Sequence, residues 1–202
     1  MLTNWKTIRD LDASAVRYSV EQVEAATAAD LDRPTPCAGW TLGDLLTHLV
    51  AQHRGFAAAA AGHGDDLQRW AAPSSGADAL RDYRSAADEA VTAFAAVETP
   101  DSPFRLPEFG APEPFPAVLA IGFHAVDYLV HAWDVAATLG RQLTPDDDLV
   151  EGLLPLVLAV PDDAERTKPG AAFAPAVPAP ADASPLDRVL AALGRTPDWK
   201  PA

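Results

Sequence analysis

Apolar residues recur every three or four positions along most of this 202-residue chain, which is the spacing of amphipathic α-helices. The pattern predicts six helices, over residues 3–29, 41–61, 77–97, 117–139, 146–160 and 184–193. We expect Pro155 to kink or shorten the fifth, because proline lacks the backbone N–H of a helix interior. No segment alternates apolar and polar residues as a strand does. The pattern therefore predicts an all-α protein: a four-helix bundle with short C-terminal helices.

Proline, glycine and capping residues mark the ends of these helices. Pro34 and Pro36 prevent the first helix from continuing, and Thr41 with Asp44 three residues later resembles a capping box that starts the second. Residues rich in glycine or proline form the connecting segments 62–76, 100–116 and 161–185, of which the last is expected to run extended. We interpret residues 1–202 as a single domain with a bundle core over about 3–140 and a trailing segment over 141–202.

The composition narrows the partners of the chain. Hydrophobic residues make up 49% of it, so a substantial core is expected. The formal net charge of −14 argues against binding nucleic acid or an anionic membrane, since both select clustered Lys and Arg. Small molecules or proteins are the favoured partners, and an apolar stripe on the first or third helix leaves a homodimer open. The single cysteine and the lack of a signal peptide or apolar span indicate a cytoplasmic protein.

The fourth helix carries a polar stripe in an otherwise apolar surface. At about 100° per residue, Asp127, His131 and Asp134 fall within roughly 60° of one another, with His124 beside them. Because much of the remaining helix surface is apolar, the stripe is expected to be buried. Burying such groups without compensation costs several kcal/mol, so either a metal ion or a closed hydrogen-bond network must satisfy them.

Asp127 and His131 lie four residues apart, so both side chains can reach one ion. A carboxylate with an imidazole suits Zn, Ni, Fe or Mn, and a further ligand must come from a facing helix. The second helix offers His48 and His53, which project in directions about 140° apart. Helical projection slightly favours His53 as the inward residue, but the residues themselves do not choose between the two.

Other polar and aromatic residues have structural interpretations beside the functional ones. His124 is expected to line the site or support it, whereas Asp134 either orients the His131 ring or caps the helix end in solvent. Cys37 lies about seven helical residues before His48, roughly 10 Å along the axis, and is expected to be structural. Aromatic packing roles are predicted for two tryptophans: Trp40 as a hydrophobic staple that closes the turn before the helix, and Trp133 in the core.

Three segments carry a resemblance to a known family. They read RPTPCAGWTLGDLLTHLVAQHRGFAAA, DYLVHAWDVAATLG and LDRVLAALGRTPDW. They resemble the mycothiol-dependent maleylpyruvate isomerase metal-binding domain family of the DinB/YfiT-like superfamily, in particular its short actinobacterial members. The resemblance implies a four-helix bundle whose divalent metal is held by His48, Asp127 and His131. Two departures are that the isomerase has Glu in place of Asp127 and carries a C-terminal domain.

Function is predicted from this set of three ligands. Three protein ligands leave a coordination position for water or substrate, as in catalytic zinc sites. The resemblance implies mycothiol as a thiol co-substrate, so a thiol S-transferase or isomerase acting on a small electrophile is one hypothesis, with Zn as the expected metal and Ni, Fe or Mn as alternatives. A second hypothesis is a non-catalytic metal-binding or regulatory bundle. The third is a bundle without metal, in which Asp127 pairs with His48 and His131.

Overall fold

The computed structural model describes residues 5–168 and 170–201, except for the side chain of Glu108, and it confirms the all-α prediction. The helices of the described residues are α1 (Trp5–Val23), α2 (Leu42–Ala60), α3 (Gly76–Ala96), α4 (Ala117–Thr138), α5 (Asp147–Leu158) and α6 (Pro185–Ala192). The only sheet in these residues is a short antiparallel pair, β1 (Pro103–Phe104) and β2 (Phe115–Pro116).

Helix α1 is shorter than the sequence pattern predicts. It ends at Val23, and residues 28–30 form a separate 3-10 turn in which Thr27 and Asp30 cap each other. Thr27 and Asp30 thus provide a local alternative to continuing the helix. The predicted start at residues 3 and 4 lies outside the described residues.

The capping box predicted at the start of α2 is confirmed. The Asp44 backbone N–H donates to Thr41 Oγ1 at 3.2 Å, and the Thr41 backbone N–H donates to the Asp44 carboxylate at 2.9 Å. These bonds satisfy N–H groups that have no partner within the helix. The first residue of α2 is consequently well defined, and with it the direction of His48.

The connecting segments contain more regular structure than predicted, including a 3-10 turn over Leu67–Trp70 in the segment 62–76. The segment over 100–116 was predicted to be irregular, but its ends pair as β1 and β2, with Phe104 opposite Phe115. Residues 164–167 of the predicted extended segment form a 3-10 turn. Pro155 lies inside α5, which continues to Leu158, so proline shortens this helix less than expected.

Helix packing creates the setting of the polar stripe. Helix α1 packs along α4 and α2 along α3, whereas α2 and α4 contact each other much less. Leucines of α2 and the apolar face of α4 fill the core, and Trp133 is buried there as predicted. Helix α5 packs against α1 and α4, and α6 against α5. Within the described ranges, no helix combines the length and hydropathy needed to cross a membrane.

Candidate metal centre

The structure brings His48 of α2 together with Asp127 and His131 of α4. Each of the three offers one ligand atom, and these atoms lie within 4.8 Å of one another. His131 Nε2 lies 3.3 Å from Asp127 Oδ1, and the His48 and His131 ring centroids are 5.7 Å apart. We call these three residues the candidate site. Among the described residues it is one of two groups whose ligand atoms converge in this way.

The protonation states of the candidate site suit a cation. Burial lowers the pKa of His48 to about 4, so its imidazole is neutral at pH 7. Burial raises the pKa of Asp127, but His131 and His48 outweigh this effect and lower it to about 2. Burial likewise opposes protonation of His131, yet Asp127 and Asp134 raise its pKa well above 6.5. The site thus holds a neutral imidazole, a carboxylate and an imidazole that must release a proton to bind metal.

One side of the candidate site faces solvent. The Asp127 side chain is 24% exposed and His48 is half-buried, whereas His131 is almost completely enclosed. The Trp40 ring lies 5.1 Å from the His48 ring and is itself 38% exposed. Its backbone N–H closes the preceding turn by donating to the Cys37 carbonyl, but its ring stands beside the site, and the predicted hydrophobic staple gains no support. The candidate site is therefore open to solvent on the side of Trp40 and Asp127.

Asp134 orients the His131 ring, which was one of the two interpretations of its sequence position. His131 Nδ1 lies 2.8 Å from Asp134 Oδ2, and the Asp134 side chain is fully buried rather than exposed at the helix end. A carboxylate that accepts from one ring N–H fixes the tautomer and leaves the other nitrogen for a metal. His131 Nε2 is consequently the atom presented to Asp127 and His48.

Cys37 and Arg195 complete the other side of His131. Cys37 Sγ lies 3.2 Å from Asp134 Oδ2 and 3.9 Å from His131 Nδ1. The separation of Cys37 and His48 expected from the sequence did not predict this contact between Cys37 and His131. Residues 34–41 fold back as a tight turn, in which Thr35 Oγ1 donates to the Cys37 carbonyl. Arg195 Nη2 lies 3.1 Å from Asp134 Oδ2. Sequence reasoning missed Arg195, whose only signal was its place in the third resembling segment.

His53 and His124 belong to a different cluster. His124 Nδ1 lies 2.6 Å from Asp12 Oδ1, and His124 Nε2 lies 3.1 Å from His53 Nδ1. All three side chains are buried, so His53 does point inward, as helical projection favoured, but into the core and not into the candidate site. We call Asp12, His124 and His53 the buried chain. The expectation that His124 lines or supports the metal site gains no support from its hydrogen bonds, because both ring nitrogens are taken up by Asp12 and His53.

The buried chain ends at an unpaired atom. If Asp12 accepts from His124, then His124 accepts from His53, and His53 Nε2 is left as an acceptor; the reverse direction leaves it as a donor. Among the described residues His53 Nε2 has no hydrogen-bond partner. The ring is instead stacked on Tyr128 at 3.8 Å, and burial lowers its pKa well below 6.5.

Comparisons with known proteins agree with this architecture. Residues 13–136 match the model of the mycothiol maleylpyruvate isomerase N-terminal domain. Uncharacterized proteins from two strains of Mycobacterium tuberculosis, CDC 1551 / Oshkosh and H37Rv, are each 34% identical to this chain over 174 residues, covering 84% of it and 87% of their own length.

The fold of nearly the whole chain is similar to that of an enzyme of known structure. The crystal structure of the mycothiol-dependent maleylpyruvate isomerase matches with a TM-score of 0.65 at 15% identity, covering 97% of this chain and 91% of that one. A histidine-to-alanine mutant of that enzyme matches with a TM-score of 0.68 at 13% identity and the same coverage. The match to the family model covers more than half of the chain, so this protein belongs to the mycothiol maleylpyruvate isomerase N-terminal domain family and has its DinB-like fold.

Proposed function

We propose that this protein binds one divalent metal ion through His48, Asp127 and His131 and uses it to react a low-molecular-weight thiol with a small electrophile. The observation that carries the proposal is the convergence of three ligand atoms, from two helices, within 4.8 Å. Two imidazoles and a carboxylate are a ligand set typical of catalytic zinc, which makes Zn the proposed metal, with Ni, Fe and Mn as alternatives.

The residues around the site have distinct tasks in this function. A divalent ion held here supplies Lewis acidity, which lowers the pKa of a coordinated thiol and so makes the thiolate available at neutral pH. Asp134 holds His131 in the orientation that binds metal, and the neutral state of His48 leaves its lone pair free. The partly exposed Asp127 and Trp40 leave the approach for thiol and electrophile open, and the apolar Trp40 ring lies beside the His48 ring.

Mycothiol is the proposed thiol. Support comes from the family model and from the solved isomerase of similar fold, both of which carry mycothiol in their names. The electrophile is proposed only by class, as a small molecule with an electrophilic carbon, since no described residue selects one. The single-domain interpretation of residues 1–202 is proposed alongside, because α5 packs against α1 and α4 of the bundle and α6 packs against α5.

Metal analysis of the full chain tests the first half of the proposal. Protein purified without a metal-binding tag should contain about one equivalent of Zn, and His48→Ala and His131→Ala should each lose it. His63→Ala is the matched control, because His63 is an exposed histidine outside the site and its removal should change nothing. A protein that takes up no metal even after reconstitution contradicts the proposal and favours the bundle without metal.

A thiol-transfer assay tests the second half. The holoprotein should accelerate reaction of mycothiol with maleylpyruvate or with a general electrophile such as chlorodinitrobenzene, and chelation or His131→Ala should abolish the acceleration. Activity that survives complete metal removal contradicts the proposed mechanism. Stoichiometric metal without any thiol-dependent turnover supports the alternative, a non-catalytic metal-binding or regulatory bundle.

A further inference from the structure

His131 lies between two sets of potential metal ligands. On its Nε2 side are His48 and Asp127, and on its Nδ1 side are Cys37 and Asp134. The ligand atoms of Cys37, His131 and Asp134 also lie within 4.8 Å of one another. We call these three residues the thiol set. A thiolate, an imidazole and a carboxylate bind Zn well, so ligand chemistry alone does not exclude this set.

A buried arginine distinguishes the thiol set from the candidate site. Arg195 Nη2 lies 3.1 Å from Asp134 Oδ2, and Arg195 Nε lies 3.4 Å from Asp134 Oδ1. Arg195 Nη2 also lies 3.5 Å from Cys37 Sγ. The guanidinium therefore contacts two of the three ligands of the thiol set, and among the described residues it makes no hydrogen bond or ion pair with His48 or Asp127. Since guanidinium stays charged in proteins, a permanent cation already neutralises this set.

The C-terminal segment holds this arginine firmly in place. Gly194 adopts φ of +78°, and a Cβ there would lie 2.7 Å from the Ala174 carbonyl oxygen, so the backbone makes a close approach that only glycine allows. Arg195 Nη1 donates to the Leu193 carbonyl at 2.8 Å, and the guanidinium lies 5.5 Å from the Phe173 ring centroid. Arg195 is only 6% exposed, so its side chain is held inside the protein and does not lie on the surface.

A metal ion in the thiol set would have to compete with this arginine. The ion would take Asp134 away from a buried guanidinium and bring two positive groups within a few ångströms of each other, where water screens their repulsion poorly. Leaving a buried charge without its partner is strongly unfavourable. An ion in the candidate site leaves the pair of Asp134 and Arg195 intact, because the ion-pair partner of Asp127 is His131, which can release its proton, and not the guanidinium.

We propose that Arg195 is a positioning residue that takes the place of a cation in the thiol set and, through Asp134, directs the metal to the Nε2 side of His131. The inference rests on the proposed metal function of the candidate site. It explains how a chain with two convergent ligand sets would bind one ion, and why Cys37 lies beside the metal centre without becoming a ligand. The C-terminal segment thus determines which face of His131 is used.

Cobalt binding tests this inference with a signal that structural damage alone does not produce. Co²⁺ substitutes for Zn²⁺, and a Cys thiolate bound to it gives an intense near-ultraviolet charge-transfer absorption. Wild-type protein titrated with Co²⁺ should lack this band. Arg195→Met should acquire it, as Cys37 binds the ion and loses its thiol proton to solvent, and the double variant Arg195→Met with Cys37→Ser should lose it again. Arg195→Lys, which retains the positive charge, should behave like wild type.

The outcomes separate this inference from the proposed function. A thiolate band in wild-type protein that Cys37→Ser removes overturns the inference, and so does an Arg195→Met variant that retains wild-type helicity but shows no band. If Arg195→Met does not fold, Arg195→Gln removes the charge while keeping hydrogen-bond donors and gives the same comparison. Wild-type protein that binds no Co²⁺ contradicts the proposed function. If Arg195→Met nevertheless gains the thiolate band, the part of the inference in which Arg195 keeps metal out of the thiol set still holds, because that band does not require His48.

Discussion

Two clusters in this bundle each contain two histidines and one aspartate, yet their geometry suits them to different tasks. In the buried chain the groups stand in line: Asp12 bonds to His124, and His124 bonds to His53. In the candidate site the ligand atoms face one another within 4.8 Å, and one side is open to solvent. The same residue types therefore give a closed core network in one place and a potential metal centre in the other.

The surroundings account for this difference. The buried chain is enclosed by aromatic rings, with Phe56 and Phe94 both about 5 Å from the His124 ring. Here each ring nitrogen except His53 Nε2 has a protein partner, and the lone pairs do not converge. At the candidate site, Asp134 and Arg195 occupy the Nδ1 side of His131, which leaves Nε2 directed at the other ligands. Residue composition alone does not identify a metal site, because the direction of the lone pairs decides it.

The largest expected effect is on metal affinity. His48→Ala should weaken Zn²⁺ binding on the order of 10³-fold, since one of three ligands is lost. His53→Gln should leave the affinity within a factor of two, because His53 lies in the buried chain. Competition titration with a chromophoric chelator measures both. Equal losses in the two variants would remove the distinction between the clusters.

The free energy of unfolding, in contrast to metal affinity, should depend on the buried chain. Asp12→Ala leaves the buried His124 Nδ1 without its partner and should lower the free energy of unfolding by about 3 kcal/mol. Asp10→Ala, an exposed aspartate on the same helix, is the control and should change it by less than about 0.5 kcal/mol. Urea unfolding of the metal-free proteins gives both values. A stability loss in Asp12→Ala no larger than that of the control would contradict the assignment of the buried chain to the core.

Metal binding should depend on pH through His131. Because Asp127 and Asp134 raise its pKa well above 6.5, His131 is protonated at neutral pH and must release about one proton when the ion binds. Affinity should therefore rise by about tenfold per pH unit from near neutrality up to that raised pKa. Calorimetry in buffers with different ionisation enthalpies counts the protons. Binding without proton release would show that His131 is neutral in the metal-free protein or does not bind the ion.

The smallest expected effect is acid destabilisation through His53. Its pKa is lowered well below 6.5 in the folded protein, so below about pH 6.5 only the unfolded state gains this proton. The free energy of unfolding should then fall with decreasing pH by up to about 1.4 kcal/mol per unit from this residue. His53→Gln removes the contribution, while Asp12, Tyr83, His124 and Tyr128 around it are unchanged. Identical pH profiles for wild type and variant would contradict it.

Periodicity and capping signals in the sequence were enough to predict the helices. The bounds predicted for α2, α3 and α4 agree with the structure to within one or two residues, and the Thr41–Asp44 box is confirmed. These features are local: a cap depends on residues three apart, and a helix depends on which face is apolar. For the same reason, the four-residue spacing of Asp127 and His131 was sufficient to predict that they lie side by side.

The tertiary structure decided which other residues join them. Helical projection correctly predicted that His53 points inward, but His53 lies in the core and not in the candidate site. The half-buried His48 is the residue that faces His131. Cys37 and Arg195 reach Asp134 from 97 and 61 residues away. A sequence pattern shows which face of a helix avoids water, but not how deep a residue lies or which distant segment packs on it. Those depend on how the whole chain packs, and that packing determines which nitrogen of His131 remains available for a metal.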